Sequence, residues 1–438
     1  MKHLLVVANL YHSSPRIPEL AETLLNQGWK VTVVTPPLKD NAATVLNFPK
    51  NFSKKTIFQI APYRGDIFWI HRKFLSFFGL SSKISYTEQL KSISGKTLKK
   101  LGLVDWLMRI YQAIFAIPDT ERTWFKSAIS KFKEIKKDNK FDAIISSSPF
   151  PTVHRVANHI KKEIDIPWIA DFRDLWSQNH NYSLPRFRLM IDRWLEIRTL
   201  LTCNLIITVS KSWRDKLINL HNKQVIVVRN GFQSLDFDHV IKLSERFTIT
   251  YTGTIYDKKQ DPEKIIKALA NLIDLGSVDA DKISINFYGK NSDLLKTIIK
   301  KYKIEKVVKQ LGFIDRIESR KKQLESHVLL FFQWEDLKET DLCPLKFYEY
   351  LNAGKTILAT GGSKFTEVAD IVKKTNSGFI AVDVTDIQKI LKKLYDQFIK
   401  KKITYFGNKK IISNYSFAKS SKQFKDLLNK LIINEKSI

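Results

Sequence analysis

A glycine-containing loop followed by two lysines is the first place in this sequence where residue types and spacing suggest chemistry. Gly253 and Thr254 come directly after a run rich in β-branched residues, and Lys258 and Lys259 follow before the next helical pattern. A glycine lets the backbone approach a phosphate closely, and a lysine a few residues later can supply a positive charge. The pattern therefore predicts an anion site, with an ordinary tight turn between a strand and a helix as the alternative.

Two carboxylates stand eight positions apart in a second segment. Asp341 precedes Pro344, and Glu349 falls within the first two turns of a helix that should begin after this proline. Lys346 lies between the two acids. Both acids can then face one ligand, for example the hydroxyls of a sugar. The alternative is that Glu349 is an acid near a helix N-terminus, where the helix dipole favours it.

Charged side chains also follow a predicted strand in the first half of the chain. Asp171, Arg173 and Asp174 place three charges within four residues. They could form a substrate clamp or a structural ion pair. His154 lies in the first turn of a helix that follows another strand, at the edge of a possible ligand site. The alternative for His154 is a structural role.

Short β-branched runs alternate with longer helical patterns over nearly the whole length. The predicted strands form two series, 4–8, 31–35, 143–146, 168–171, 205–209 and 225–228, then 248–252, 283–288, 328–332, 357–360 and 379–382. Such alternation predicts parallel sheets covered by helices. The fold class is therefore α/β, with two doubly wound Rossmann-like domains. In such sheets ligands bind beyond the carboxyl ends of the strands, where the candidate residues lie.

The predicted domains cover residues 1–235 and 246–410, and a final helix within 411–438 should pack back on the first domain. The stretch from about 50 to 135 is too long for a simple connection, so it should carry helices of its own. It is basic and rich in aromatics. Its segment 65–117 could hold the protein on an anionic membrane surface, or its aromatics could form the core of the insertion.

Composition limits the possible classes of protein. The 438 residues include 73 Lys and Arg against 44 Asp and Glu, a net charge of +29, but only 16 of the basic residues are arginines. This lysine-rich excess argues against a nucleic-acid partner. Two distant cysteines exclude a disulfide scaffold and a zinc finger. No Gly-x-Gly-x-x-Gly follows a strand and no Walker lysine loop occurs, so dinucleotide oxidoreductases and P-loop ATPases lose support. We expect a cytoplasmic protein, with the inner face of the cytoplasmic membrane as a second location.

Taken in order, these segments resemble glycosyltransferase family 4, whose members are retaining enzymes with the two-domain GT-B fold and a cleft between the domains. The Asn230-Gly231 turn matches the hinge of that family, and the Gly253 loop matches its donor diphosphate loop. Asp341 and Glu349 match its acid, seven residues, acid signature. Segments 117–119, 148–154 and 171–176 are similar to the branch that builds bacterial surface polysaccharides. The sequence departs from the family at Thr254, where an arginine is usual.

The resemblance implies a glycosyltransferase that moves a sugar from a UDP- or GDP-sugar to a polysaccharide or lipid-linked acceptor, without a metal or other cofactor. It implies donor contacts at the candidates of the second domain, which are Gly253, Thr254, Lys258, Lys259, Lys346, Asp341 and Glu349. We place His154, Asp171 and Arg173 in catalytic roles facing the acceptor and the transferred sugar. Two alternatives stay open, a nucleotide-sugar 2-epimerase of the same fold and a non-catalytic protein that binds polyanions or membranes.

Overall fold

The computed structural model describes residues 1–13, 15–38, 48–64, 114–179, 185–233, 241–257, 259–336, 343–402, 405 and 407–436. Their contacts divide the chain into two compact units. The first comprises Met1–Val209, Trp213–Val228 and Ser421–Ile438, and the second comprises Ser210–Ser212 and Arg229–Ser420. Each unit is built around one parallel sheet.

The first sheet has seven strands in the order β3-β2-β1-β4-β5-β6-β7, all paired in parallel. The strands are β1 (His3–Ala8), β2 (Lys30–Thr35), β3 (Ile57–Ile60), β4 (Ala143–Ser147), β5 (Trp168–Phe172), β6 (Leu205–Thr208) and β7 (Val225–Val227). The helices along this part of the chain are α1 (Leu10–Ser13), α2 (Arg16–Leu25), α3 (Lys50–Lys55), α4 (Phe125–Ile135), α5 (Thr152–Ile164), α6 (Arg186–Leu200) and α7 (Lys211–His221). A 3-10 helix covers Thr120–Trp124.

The second sheet has six parallel strands in the order β10-β9-β8-β11-β12-β13. They are β8 (Phe247–Thr252), β9 (Ile283–Tyr288), β10 (Val308–Gln310), β11 (Val328–Phe332), β12 (Thr356–Thr360) and β13 (Gly378–Ala381). The remaining helices are α8 (Glu263–Asp274), α9 (Asp293–Lys301), α10 (Arg316–Glu325), α11 (Leu345–Ala353), α12 (Glu367–Thr375), α13 (Val384–Ile399), α14 (Lys409–Ile412) and α15 (Phe417–Lys436).

The central strands are buried on both faces, which explains why their sequences are rich in apolar and β-branched residues. Every residue of β1, β4, β5, β8 and β11 is buried. Helices cover the sheets with apolar stripes; in α8, Ile265, Leu269 and Leu272 lie in the buried cluster around Ile249 of β8. The predicted α/β class and its two doubly wound Rossmann-like domains are confirmed.

Each of the eleven strands predicted from sequence overlaps an observed strand, and two further strands are present that the sequence did not predict. Both are at a sheet edge: β3 has no fully buried residue, and β10 has one. Polar residues interrupt both strands, Gln59 in β3 and Lys309 and Gln310 in β10, so the apolar run that identified the other strands is missing there.

The last helix, α15, contributes Phe424, Leu428 and Ile432 to the buried cluster that contains Leu4 and Val6 of β1. Within the segment 50–135, the structure describes α3, β3, the 3-10 helix and α4. Most of the predicted membrane segment, residues 65–113, lies outside the described residues.

Candidate functional site

Both sheets reverse their strand order at one point, and polar residues collect at the carboxyl ends of the strands there. The reversal lies between β1 and β4 in the first sheet and between β8 and β11 in the second. At such a switch point the two adjacent connections leave in opposite directions and open a crevice, which is where ligands bind in doubly wound folds. Each unit therefore has its own candidate site.

A pocket of about 360 Å³ lies at the switch point of the second unit. The loop after β8 and the residues that end and follow β11 line it together with the start of α11. Its lining includes Gly253, Thr254, Tyr256, Trp334, Lys346 and Thr366. Three of the candidate donor residues, Gly253, Thr254 and Lys346, are thus brought together in one pocket.

The ammonium group of Lys346 is the main positive charge at this pocket. Lys346 Nζ donates a hydrogen bond to Tyr251 Oη at 2.6 Å, and Tyr251 Oη donates to the carbonyl of Thr254 at 2.8 Å. The ammonium also stands 4.2 Å from the centre of the Tyr251 ring. Lys346 forms no ion pair within the part of the chain that the structure describes. Burial lowers the pKa of Lys346 to about 7.

The loop after β8 depends on close backbone contacts. Gly253 has φ +126°, in the region that favours glycine, and a Cβ added to it would lie 3.4 Å from Lys346 Nζ. A Cβ on Gly289, after β9, would lie 2.1 Å from the carbonyl oxygen of Gly253. Glycine at these positions allows the backbone to approach Lys346 and leaves the pocket open for a ligand.

Aromatic side chains form a second wall of the pocket. Trp334 follows β11, its ring centre lies 6.2 Å from that of Tyr256, and Lys259 Nζ stands 4.1 Å above the indole. A partly exposed indole beside a cation offers a flat apolar face to a ring-shaped ligand group. Lys259 is therefore held beside the pocket, through Trp334.

Glu349 lies one turn after Lys346 on α11, so the two side chains share a face of the helix. Its Oε1 accepts hydrogen bonds from Arg316 Nη2 at 3.1 Å and Nε at 3.3 Å. The carboxylate is mostly buried, and the structure pairs it with a cation that the sequence did not indicate. Lys258 and Asp341 lie outside the described residues.

In the first unit, Asp171 forms a fully buried ion pair with Arg16. Arg16 Nη2 lies 2.8 Å and Nε 3.1 Å from Asp171 Oδ1, and both side chains have no exposed surface. Ser147 Oγ donates to the other carboxylate oxygen at 2.8 Å. The interaction joins the start of α2 to the ends of β4 and β5. Of the alternatives for Asp171, the structural ion pair is present.

Arg173 and Ser148 continue this network at the same edge of the sheet. Ser148 Oγ accepts hydrogen bonds from the backbone N–H groups of Arg173 at 2.9 Å and Asp174 at 3.1 Å. The Arg173 guanidinium donates to the carbonyl of His12, and its Nε is buried with no partner among the described residues. Arg173 is only partly buried, so it is the most accessible of the three predicted catalytic residues.

His154, predicted at the edge of a possible ligand site, is fully buried on α5. Its ring stacks on Phe172 at 4.6 Å, and its Nδ1 lies 2.8 Å from Ser146 Oγ. Trp168 Nε1 donates to the same hydroxyl, so the hydroxyl proton is directed to His154 Nδ1. Burial lowers the pKa of His154 to about 3, which keeps the ring neutral. His154 lies on the buried face of α5. Its catalytic role stays a prediction.

We expect His154→Ala to lower the free energy of unfolding, because it removes a packed ring and leaves the Ser146 hydroxyl without its acceptor. The expected loss is about 2 to 4 kcal/mol in urea unfolding. His159→Ala, a partly exposed position on the same helix, is the matched control. Equal stability of the two variants would contradict the role that the burial of His154 indicates.

The sequence analysis missed a pair of carboxylates, Asp119 and Glu121, at the start of the 3-10 helix that precedes α4. Asp119 accepts a hydrogen bond from the backbone N–H of Thr152 at 2.6 Å, which pairs the first N–H group of α5. It also accepts one from the backbone N–H of Glu121 at 2.7 Å. Glu121 accepts a hydrogen bond from the Tyr63 hydroxyl. Burial raises the pKa of Asp119 to about 6 and that of Glu121 to about 7. Such shifts mark functional-site candidates near neutral pH.

These shifts predict a pH dependence of stability. In the folded chain Glu121 holds its proton up to about pH 7, whereas an ordinary glutamate releases it near 4.5. The folded state thus binds more protons in this window, so its stability should fall as the pH rises from about 4.5 to 7. Glu121→Gln should flatten that slope in urea unfolding at pH 5 and 7.5, and the exposed Glu134→Gln should not. Identical slopes in all three proteins would contradict the shifted pKa.

Some site residues carried a signal that the sequence analysis did not use. Arg16 follows the first strand at the right distance to reach its carboxyl end, and Glu121 lies within the family-like stretch around Asp119. Arg316 and Tyr63 carry no local pattern, because their partners are distant in sequence.

The described ranges contain neither a cluster of metal ligands nor a helix that could span a membrane. In those ranges no three His, Cys, Asp or Glu side chains come together as a metal ion would require. No helix of the same ranges is long and apolar enough to cross a bilayer.

The chain is similar to known proteins at two levels. Residues 105–233 match the family model described as Glycosyltransferase Family 4, which confirms the resemblance inferred from sequence. No curated protein sequence matches the chain. Sucrose-phosphate synthase from Thermosynechococcus elongatus is similar in structure, with a TM-score of 0.62 and 10% identity over 99% of this chain and 100% of its own.

Two further solved structures are similar over both full chains. HepE from Anabaena in complex with UDP has a TM-score of 0.62 and 12% identity, over 98% of this chain and 100% of its own. The lipopolysaccharide outer core galactosyltransferase WaaB, in its apo form, has a TM-score of 0.55 and 12% identity, over 100% of both chains. At these identities the likeness shows the fold.

Proposed function

We propose that this chain, in which residues 105–233 form a glycosyltransferase family 4 segment, transfers a sugar from a nucleoside diphosphate sugar to a glycan or lipid-linked acceptor. The observation that carries the proposal is the Lys346 ammonium, held against the Gly253 loop at the switch point of the second sheet. Groups at and beside the pocket match two parts of such a donor, the diphosphate and the nucleoside.

The diphosphate fits the start of α11. Lys346 is the second residue of this nine-residue helix, and Pro344 before it makes no side-chain cap, so backbone N–H groups are left for an anion. Charge develops on the diphosphate as the sugar leaves, and a fixed ammonium beside helix N–H groups stabilises it most in that state. We propose that Lys346 supplies the charge that an arginine gives elsewhere in the family, and that no metal is needed.

The nucleoside fits the aromatic wall and Glu349. The Trp334 indole offers a face for a base, and a carboxylate on the same face of α11 as Lys346 can accept from ribose hydroxyls. HepE, which shares the fold, was solved with UDP and with UDP-glucose, and this supports a uridine nucleotide over a guanosine one.

The resemblance to the retaining family implies that the sugar keeps its anomeric configuration. The described lining of the pocket holds no carboxylate that could form a covalent sugar intermediate, so retention would proceed by front-face transfer, in which the bond to the diphosphate breaks as the acceptor oxygen bonds the anomeric carbon and the departing phosphate takes the acceptor proton. The acceptor would bind at the carboxyl ends of the strands of the first sheet, where Arg173 is accessible. There the buried Asp171 and His154 would hold the hydroxyls of Ser147 and Ser146 in place. A position at the inner membrane face would suit a lipid-linked acceptor.

A thermal-shift screen of nucleotide sugars tests the proposal. One or more UDP- or GDP-sugars should raise the unfolding temperature, and the nucleoside monophosphate should raise it much less because it lacks the second phosphate. Stabilisation by no nucleotide sugar would contradict the proposal.

Glu349→Ala should weaken donor binding by about 1 to 3 kcal/mol, the usual cost of leaving polar partners unpaired. This corresponds to a Kd about 5 to 150 times higher in calorimetric titration. Glu318→Ala, which removes an acid of the neighbouring helix that pairs with Lys322, is the matched control. Unchanged affinity in a folded Glu349→Ala protein would remove Glu349 from the site.

A further inference from the structure

Helix α6 is built with its polar side inward. Its buried residues are Arg188, Asp192, Glu196, Thr199 and Leu200, so four of the five are polar or charged. An ordinary surface helix buries its apolar stripe and exposes its charges. Helix α6 instead buries the charged side chains of Arg188, Asp192 and Glu196 and exposes its apolar residues.

The outward face of α6 has a simple composition. It consists of six large apolar residues, counted to the position after the helix, and three arginines: Phe187, Met190, Ile191, Trp194, Ile197, Leu201, Arg186, Arg193 and Arg198. Met190 is 73% exposed and Trp194 is 52% exposed. Both acids of the helix are on the buried side, so this face carries no negative charge. Single exposed apolar residues are ordinary, whereas a continuous stripe marks an interaction surface.

Buried polar contacts fix this orientation. Arg188 Nε lies 2.7 Å from Asp192 Oδ2, and its Nη2 donates to the carbonyls of Ala116 at 2.9 Å and Pro118 at 2.7 Å. Glu196 accepts from the backbone N–H of Ser177 at 2.9 Å, and its other oxygen lies 3.1 Å from His221 Nε2. Rolling α6 to bury its apolar stripe would break these contacts, so the exposed stripe is the stable arrangement.

We propose that the outward face of α6 binds an anionic lipid surface. Arginines around an aromatic and aliphatic stripe, with no carboxylate, complement phosphate headgroups above acyl chains. The Arg198 guanidinium lies 4.6 Å from the centre of the Trp194 ring, so the cation and the aromatic sit at one level, as at a membrane interface. A protein partner of ordinary composition would need no such absence of acids. The face would hold the first unit on the bilayer independently of the transfer reaction.

Vesicle flotation without any nucleotide sugar tests this inference separately from the proposed function. The intact protein should float with vesicles containing about one-third phosphatidylglycerol and much less with phosphatidylcholine alone. Met190→Gln with Trp194→Gln should reduce binding about tenfold or more, because it removes buried apolar area. Arg193→Gln with Arg198→Gln should reduce it about 25-fold, since each basic residue near an anionic leaflet contributes about fivefold.

Matched controls lie in the second unit. Phe365→Gln removes an apolar side chain that is 90% exposed, and Lys296→Gln with Lys300→Gln removes two exposed cations; both should bind within twofold of the parent. Trp194 emission should shift to shorter wavelength on anionic vesicles, and Trp194→Phe should lose that shift. Equal partition onto neutral and anionic vesicles, or none onto either, would overturn the inference. So would an α6 variant that unfolds at lower temperature or dissociates an oligomer, because the face would then be covered by protein.

Discussion

Replacing Lys346 by Met should lower kcat/KM about 10²- to 10³-fold, the range found when one preorganised donor to developing negative charge is removed. The side chain has the length to keep the packing against Tyr251, but it has no charge to offer the diphosphate. Because a partly buried ammonium is costly, the variant should unfold at or above the temperature of the parent. Lys364→Met, which removes an exposed lysine paired with Asp386, should leave kcat/KM unchanged.

The pH dependence separates charge from packing at this position. Burial lowers the pKa of Lys346 to about 7, so in the free protein the ammonium is lost as the pH rises through 7. Donor affinity should therefore fall above pH 7, by up to tenfold per pH unit. Lys346→Arg keeps a charge at every pH and should remove this limb of the profile. Parallel profiles for the lysine and arginine proteins would show that another group controls the binding.

Asp171→Ala should cost about 3 to 5 kcal/mol of folding free energy, because it leaves the Arg16 guanidinium buried without a counter-charge. Both side chains are inaccessible, and Ser147 loses its acceptor as well. Urea unfolding measures the effect. Asp165→Ala, which removes an exposed acid that pairs with Lys161, should change the midpoint little.

The double variant Arg16→Met with Asp171→Leu distinguishes a structural from a catalytic role. Replacing both members of a buried pair by apolar residues is commonly near neutral, so most of the lost stability should return. If turnover per folded molecule returns too, Asp171 acts only through the fold. If stability returns without turnover, Asp171 takes part in the reaction, as predicted from its place after β5.

The sequence predicted those parts of the fold that leave a local pattern. Central strands such as β1 and β11 are apolar on both faces, so they could be recognised from their runs, whereas β3 and β10 could not. The start of α11 after Pro344 was predicted because a proline fixes the first turn of a helix. Lys346 and Glu349 share one face of this helix because they are three residues apart, a consequence that the sequence analysis did not draw.

The contacts of the candidate site were less predictable. His154 was placed correctly at the start of α5, but its burial depends on Trp168 and Phe172, which reach it through strand pairing. The Arg16–Asp171 pair joins positions 155 residues apart in sequence, and no helical or strand periodicity indicates a contact over that distance. The shifted pKa of Glu121 needs the three-dimensional surroundings, including Tyr63.

The central claim, glycosyl transfer, is tested most directly by following the anomeric proton of a nucleotide sugar by NMR. The nucleotide sugar that stabilises the protein most would be incubated with it, with and without a lipid-linked glycan fraction. We predict release of the nucleoside diphosphate only when acceptor is present, with the sugar transferred in its original anomeric configuration. A C2-epimerised nucleotide sugar formed without acceptor, or an unchanged nucleotide sugar in both samples, would contradict the proposed function.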